Sequence, residues 1–224
     1  MKITDIELIP IYPRLAARYD SLNVRTHGLE YRIVVKITTD NGIVGYGDHR
    51  SRPTMVPDNS IFEPLIGRNP FDFLNNNFEA SLGAALYDVM GKYLEIPAYK
   101  LMGQKVRDGV TVAAWCRPSP PEDFREEISR AVSEGYRIFK MHTDSRYDPI
   151  EQTLAAEEVA PEGFKLHYDF NGGGRTVAGL LPLVTEMERD HPIVGIIEDP
   201  LPANDISGWR ELRSRTRIPL IYSR

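Results

Sequence analysis

The stretch YRIFKMHTDSRYDPIEQTLAAEEVAPEGFKLHYDFNG, residues 136–172, contains two short apolar runs separated by a helical segment. Apolar and polar residues alternate in RIFKM and again in FKLHYD, which is the period of a half-buried strand. Asp148 followed by Pro149 is typical of a helix start, and Gly163 stands where a helix exit needs a left-handed residue. The stretch therefore predicts a β–α–β unit, whose two strands run parallel.

The same alternation of strand and helix extends over residues 109–224. It predicts five strands, which are VTVAAW (110–115), RIFKM (137–141), FKLHYD (164–169), VGIIE (194–198) and IPLIY (218–222). Ser119 and Glu122 form the pattern of a capping box, which predicts a helix after the first strand. The short repeat predicts parallel strands with right-handed crossovers, in either an open doubly wound sheet or part of a (β/α)8 barrel.

The distribution of polar and apolar side chains on the two faces of the second strand favours a barrel over an open sheet. Phe139 and Met141 share one face, whereas Lys140 and His142 share the other. In an open sheet, helices cover both faces. At the interior mouth of a barrel, polar side chains can contact water or one another. An α/β fold with the first part of a barrel is therefore expected.

Residues 1–108 have a different pattern. The opening MKITDIELIP predicts a strand, and Asp40-Asn41-Gly42 between two β-rich runs predicts a tight hairpin. An apolar stripe at helical spacing follows at Leu82, Ala85, Leu86, Val89, Met90 and Tyr93. We expect an α+β domain over residues 1–108 and the barrel domain over residues 109–224.

Composition narrows the possible partners. The chain has 224 residues, a formal net charge of -5 and a single cysteine, Cys116. The charge gives no reason to expect nucleic acid, one cysteine excludes an intrachain disulfide, and no segment approaches a membrane-spanning length. A cytoplasmic protein that binds a small molecule, and forms a homo-oligomer without contacting a membrane, is expected.

Two acids are predicted to converge at the carboxyl ends of the strands, where parallel α/β folds place their chemistry. Glu198 is in phase with Val194 and Ile196, one strand away from Asp169. Neighbouring strands lie about 4.8 Å apart, so the two carboxylates repel unless a cation lies between them. Oxygen ligands of this kind suit Mg²⁺.

Simpler interpretations exist for each of these residues. Lys140 can extend from the strand end into solvent, and His167 is more easily explained as a hydrogen-bonded interior residue than as a ligand. Asp169 and Glu198 can also belong to an ion-pair network with Lys165 or Arg175.

Taken in order, the opening MKITDIELIP, the hairpin VKITTDNGIVGYGD and the motifs FKMH, DFNG and IEDP resemble the mandelate racemase and muconate lactonizing enzyme branch of the enolase superfamily. The resemblance covers the whole chain. It implies an amino-terminal capping domain and a modified (β/α)7β barrel that binds Mg²⁺ through acids on three successive strands. It also implies abstraction of the proton α to a carboxylate, giving an enediolate.

The resemblance assigns roles residue by residue. Asp169 and Glu198 match the first two metal ligands, and Lys140 is the fixed cation beside the substrate carboxylate. His142 takes the position that usually holds a base lysine. Asn171 is a second-sphere or substrate contact. Arg25 and His27, in the loop between the first two strands, are candidates for substrate specificity.

One departure concerns the third metal ligand. The family carries an acid at the end of the fifth strand. Alignment of IPLIYSR with that strand places Arg224 at or beside the position of this acid. The later strands of the barrel are also absent from the sequence. We therefore expect a part of a longer enzyme.

The leading hypothesis is a Mg²⁺-dependent lyase that dehydrates a sugar acid. A racemase, epimerase or cycloisomerase that uses the same enediolate is the close alternative. Two other classes stay open: a non-catalytic relative in which Arg224 replaces the metal, and a barrel aldolase with Lys140 as its Schiff-base lysine.

Overall fold

The structure is a computed structural model that describes residues 1–13, 32–49, 59–78, 80–173 and 175–223. The chain divides into two compact units, Met1–Gly109 and Val110–Arg224. Each unit has its own hydrophobic core. Within the described ranges, every helix is too short or too polar to cross a bilayer.

The first unit contains a three-stranded antiparallel sheet. Its strands are β1 (Ile3–Ile11), β2 (Arg32–Thr39) and β3 (Val44–His49), in the order β1-β2-β3. The predicted hairpin joins β2 to β3, and Gly42 adopts the positive φ, 82°, that its turn requires. Short 3-10 helices cover Asn59–Leu65, Pro70–Phe73 and Ala98–Leu101.

A long helix packs against this sheet. Helix α1 (Ala80–Leu94) buries Leu86, Val89 and Met90 of the predicted apolar stripe completely, but its last member, Tyr93, is 49% exposed. Two glycines of β3 let its backbone approach closely, because a Cβ on Gly47 would lie 1.8 Å from the carbonyl oxygen of Ser81. The approach of helix to sheet therefore depends on residues without side chains.

The second unit is a parallel sheet of five strands in the order β4-β5-β6-β7-β8. The strands are β4 (Ala114–Cys116), β5 (Ile138–His142), β6 (Lys165–Asp169), β7 (Val194–Glu198) and β8 (Leu220–Ile221). The connecting helices are α2 (Pro121–Ser133), α3 (Pro149–Glu157), α4 (Val177–Asp190) and α5 (Ile206–Arg215). The predicted α/β class is confirmed.

Period-2 alternation sorts β5 and β6 as the sequence predicts, but an irregularity in the pairing of β6 with β7 places Val194 opposite Leu166 in the core and out of phase with Glu198. Phe139, Met141, Leu166 and Tyr168 are at most 1% exposed and pack with the apolar faces of the helices. Lys140 belongs to the opposite, half-exposed face of β5. One face of the sheet is thus the core, and the other carries the polar residues.

The helix boundaries agree with most of the predicted signals. The Asp148 carboxylate accepts a hydrogen bond from the Ile150 N–H at the start of α3. The predicted helix exit at Gly163 is wrong, because α3 ends at Glu157 and Gly163, with a φ of 79°, lies in the turn before β6. The capping box at Ser119 is wrong. Helix α2 begins one residue later than the box requires, so its N-cap is Pro120, whose side chain has no oxygen to accept a hydrogen bond.

The first barrel strand is shorter than predicted. Residues 110–113 precede β4 and are exposed, with Val110 and Val112 at 71% and 62%. The register explains this difference, because β4 pairs with β5 only from Ala114, opposite Phe139. Alternation in a sequence predicts the period of a strand but does not show where its partner begins.

Candidate active site

The carboxyl ends of β5, β6 and β7 bring the polar residues into one cluster. The parallel register places His142 opposite Asp169 and Asp169 opposite Glu198. Lys140 lies opposite His167, one layer lower on the same face. The five residues come from three adjacent strands, so the spacing between strands brings their side chains within contact distance.

The Lys140 ammonium bridges the two acids. Its Nζ lies 3.1 Å from Asp169 Oδ2 and 2.8 Å from Glu198 Oε2. Burial alone would lower the pKa of Lys140, but hydrogen bonds from the ammonium to both carboxylates outweigh it and raise that pKa above its usual value. Lys140 therefore does not extend into solvent, and a charged ammonium of this kind is unsuited to forming a Schiff base.

Three hydrogen-bond donors lie at the Asp169 carboxylate. Its Oδ2 lies 3.2 Å from His142 Nε2, and its Oδ1 accepts from the Asn171 N–H at 2.8 Å. Burial would raise the pKa of Asp169, but the bonds from His142, the Asn171 N–H and Lys140 hold it well below its usual range. Asp169 is consequently an anion.

His167 lies beneath the acids, with 13% of its side chain exposed. Its Nε2 is 2.7 Å from Glu198 Oε2, but the ring N–H lacks the alignment of a hydrogen bond with that oxygen. Burial lowers the pKa of His167, and the Glu198 carboxylate only partly offsets that effect. A buried imidazole nitrogen thus faces the acidic cluster without an aligned partner.

Asp199 is a third acid that the sequence did not predict to be here. One carboxylate oxygen from each of Asp169, Glu198 and Asp199 lies within 4.8 Å of the others, and all three residues are buried. Asp199 directly follows Glu198, so strict alternation would direct its side chain to the opposite face. Its φ of 42° breaks the alternation.

The segment after β8 holds the Asp199 carboxylate. Glu198 lies opposite Ile221 in the register, and the chain then continues to Tyr222 and Ser223. The Ser223 N–H donates to Asp199 Oδ1 at 3.0 Å, and the Ser223 hydroxyl donates to Asp199 Oδ2. A serine that supports an acid thus lies at the end of the fifth strand, and Arg224 is outside the described residues.

Among the described residues, Asn171 is the other residue that was predicted to belong to the site. Asn171 contacts Asp169 through its backbone, and its own side chain is exposed. Arg25 and His27 lie outside the described residues. The predicted ion-pair alternatives are wrong, since Lys165 donates to the Pro192 carbonyl and the Arg175 guanidinium lies 4.7 Å from the centre of the Phe170 ring.

The donor set fits a small divalent cation. Three carboxylates supply the hard oxygen ligands that Mg²⁺ prefers, and their mutual repulsion is relieved by positive charge between them. The Lys140 ammonium supplies such charge in this structure. The cluster is therefore arranged around a cation.

Residues 123–223 match the family model described as "Enolase C-terminal domain-like". These residues include every described member of the cluster. The barrel part of the chain is thus similar to enolase carboxyl-terminal domains, and the resemblance of the chain to the mandelate racemase and muconate lactonizing enzyme branch is confirmed.

Two curated relatives are enzymes with different activities. The chain is 28% identical to an N-succinyl-L-Arg/Lys racemase of Bacillus cereus, over 99% of this chain and 65% of the relative. It is 26% identical to a D-galactonate dehydratase of Variovorax paradoxus, over 85% of this chain and 58% of the relative. The chain thus spans less than two thirds of the length of either relative.

Solved structures support the fold assignment. The crystal structure of the Bacillus cereus racemase superposes with a TM-score of 0.75 at 27% identity, covering 99% of this chain and 66% of that one. A dipeptide epimerase from Enterococcus faecalis, solved with Mg and L-Leu-L-Tyr, gives a TM-score of 0.78 at 20% identity, covering 99% and 68%. The five parallel strands are therefore part of an enolase-type barrel.

Proposed function

We propose that the protein abstracts the proton α to a carboxylate in a Mg²⁺-dependent reaction and thereby forms an enediolate. The observation that carries the proposal is the meeting of Lys140 and His142 with Asp169 and Glu198 at three adjacent strand ends. One cation, one proton acceptor and a pair of anions are the groups that such a reaction needs.

Asp169, Glu198 and Asp199 would hold the Mg²⁺. When bound, the ion supplies the positive charge that makes a proton beside a carboxylate acidic enough to remove. Asp199 is proposed here as the third acid, in place of a ligand from the fifth strand. Ser223 keeps its carboxylate beside the other two.

His142 is the proposed base. A neutral imidazole carries one N–H and one lone pair, and its Nε2 lies 3.2 Å from the Asp169 carboxylate. An Nε2–H that donates to Asp169 leaves Nδ1 as the nitrogen with the lone pair. The contact with Asp169 therefore selects the tautomer that accepts the substrate proton at Nδ1.

Lys140 is proposed to bind the substrate carboxylate. Its ammonium is a fixed positive charge beside the acids, and its raised pKa keeps it charged at neutral pH. Positive charge held in place before the reaction stabilises the negative charge that develops on the carboxylate oxygens. Lys140 would thus bind the acid and stabilise the enediolate.

Two fates of the enediolate are supported by different relatives. Loss of a β-hydroxyl group dehydrates a sugar acid, and the match to the D-galactonate dehydratase supports this lyase reaction. Return of a proton to the opposite face racemises or epimerises the substrate, and the match to the N-succinyl-L-Arg/Lys racemase supports this isomerase reaction. Both fates begin with the same proton abstraction.

Proton exchange in D₂O tests the proposal. The full-length protein is incubated with sugar acids and with N-succinyl amino acids, in Mg²⁺ or in EDTA, and the products are followed by NMR. Deuterium at the α-carbon of recovered acid would identify racemisation or epimerisation, and a keto acid would identify dehydration. Absence of both with every acid would refute the proposal and favour a non-catalytic relative.

A further inference from the structure

An indole ring lies beside the candidate active site. Trp115 is the middle residue of β4 and is 37% exposed, whereas its strand neighbours Ala114 and Cys116 are buried. The parallel register places Trp115 opposite Lys140. Residues paired in this way project from the same face of a sheet, so Trp115 lies on the face that carries the polar cluster.

Trp115 also contacts the proposed base. The rings of Trp115 and His142 meet edge to face, with their centroids 6.1 Å apart and their planes at 80°. Lys140, Asp169 and Glu198 make the rest of this region charged, whereas the indole contributes a broad apolar surface. Covering apolar surface is favourable, and aromatic rings dominate such contacts.

We infer that Trp115 contacts the carbon chain of the substrate beside the α-carbon and selects carboxylates with an apolar α-substituent. The inference rests on the proposed function, because it takes the substrate carboxylate to lie near Lys140. With the carboxylate held there and the α-carbon within reach of His142, a substituent directed toward β4 meets the indole.

The chemistry of the ring determines which substituent fits. An aliphatic chain covers the indole without burying any polar group. A polyhydroxylated chain would press hydroxyl groups against a ring that offers a single N–H donor, and a hydroxyl buried without a partner is costly. The ring therefore favours a carboxylate with an aliphatic α-substituent over a sugar acid.

Two linear six-carbon acids provide a matched test in the full-length protein with Mg²⁺. Hexanoate carries only methylene and methyl groups beyond its carboxylate, whereas gluconate carries hydroxyls. By calorimetry, the W115A variant should raise the Kd of hexanoate about tenfold and that of gluconate by less than about threefold. The W115F variant keeps a smaller ring and should fall between W115A and the wild type.

Fluorescence provides a second readout that does not depend on catalysis. The chain has two tryptophans, and the second, Trp209 of α5, donates its indole N–H to the Pro202 carbonyl. Within residues 1–224, the W209F variant therefore leaves Trp115 as the only indole. Saturating hexanoate should shift the emission of W209F to shorter wavelength and leave that of W115F unchanged.

Several results would overturn the role of Trp115. These are an equal or larger loss of gluconate affinity in W115A, unchanged emission of W209F at saturation, and no binding of hexanoate by the wild type. Mg²⁺-dependent proton exchange is measured separately. If exchange is observed together with any of these results, only the role of Trp115 is refuted. Absence of exchange with every acid would refute the proposed function itself.

Discussion

The Nζ of Lys140 lies 2.8 Å from Glu198 Oε2, and the same ammonium reaches Asp169 at 3.1 Å. A lysine and a divalent cation are thus alternative sources of positive charge for the same acids. This relationship links the stability of the second unit to metal binding.

Replacing Lys140 by methionine should make that link measurable. K140M keeps most of the apolar stem but removes the positive charge between Asp169 and Glu198. Because the lysine side chain is 26% exposed, the free energy of unfolding in EDTA should fall by only about 2 kcal/mol. Mg²⁺ should then raise the melting temperature of K140M more than that of the wild type.

The matched control is K165M, on the adjacent strand, since Lys165 donates to the Pro192 carbonyl rather than to the acids. Its response to Mg²⁺ should equal that of the wild type. Equal Mg²⁺ responses of K140M and K165M would show that the ammonium and the metal do not share the acids.

The H142N variant tests the proposed base. Asparagine places an amide near the position of the ring Nδ1 but cannot accept the substrate proton, so α-proton exchange in D₂O should fall by about 10²–10⁴-fold. Mg²⁺ affinity, measured by calorimetry on the same variant, should change by only a few fold. Exchange at the wild-type rate in H142N would assign the base to another residue.

The spacing of strands and the phase of Lys140 were predictable from sequence, because alternation fixes which residues share a face. The same rule places Asp199 on the opposite face, because Asp199 directly follows Glu198. Its positive φ instead directs its carboxylate toward the cluster. The Ser119 capping box was wrong for a similar reason, because the pattern does not show at which residue helix α2 begins.

The close approach of helix α1 to β3 predicts a large effect of a single methyl group. A Cβ on Gly47 would lie 1.8 Å from the Ser81 carbonyl, so G47A should destabilise the first unit by about 3 kcal/mol or more in urea unfolding. Gly109 provides the control, because nothing lies within 4 Å of a Cβ built there. A G47A variant as stable as G109A would contradict the described packing.

Glu188 of α4 predicts a dependence of stability on pH. Its Oε2 accepts from the Thr216 hydroxyl and the Arg217 N–H at 2.7 and 3.0 Å, and these bonds lower the pKa of Glu188. Because the folded pKa lies below the unfolded one, the stabilisation is present above the unfolded value, about 4.3, and is lost as pH falls through the folded value.

The E188Q variant should accordingly melt below the wild type at pH 7, and the difference should shrink as pH falls below about 4. E162Q is the control, since Glu162 is exposed in the loop before β6. A difference between E188Q and the wild type that is independent of pH would show that the carboxylate charge is not responsible.

Calorimetric titration of the full-length protein with Mg²⁺ tests the central claim most directly. The wild type should bind the ion, and D169N and E198Q, which keep the shapes of their side chains, should each weaken binding by at least about a hundredfold, or 2.7 kcal/mol. D72N, on the first unit, should bind like the wild type. Absence of Mg²⁺ binding by the wild type, or equal affinity in D169N, E198Q and D72N, would contradict a metal site at these strand ends.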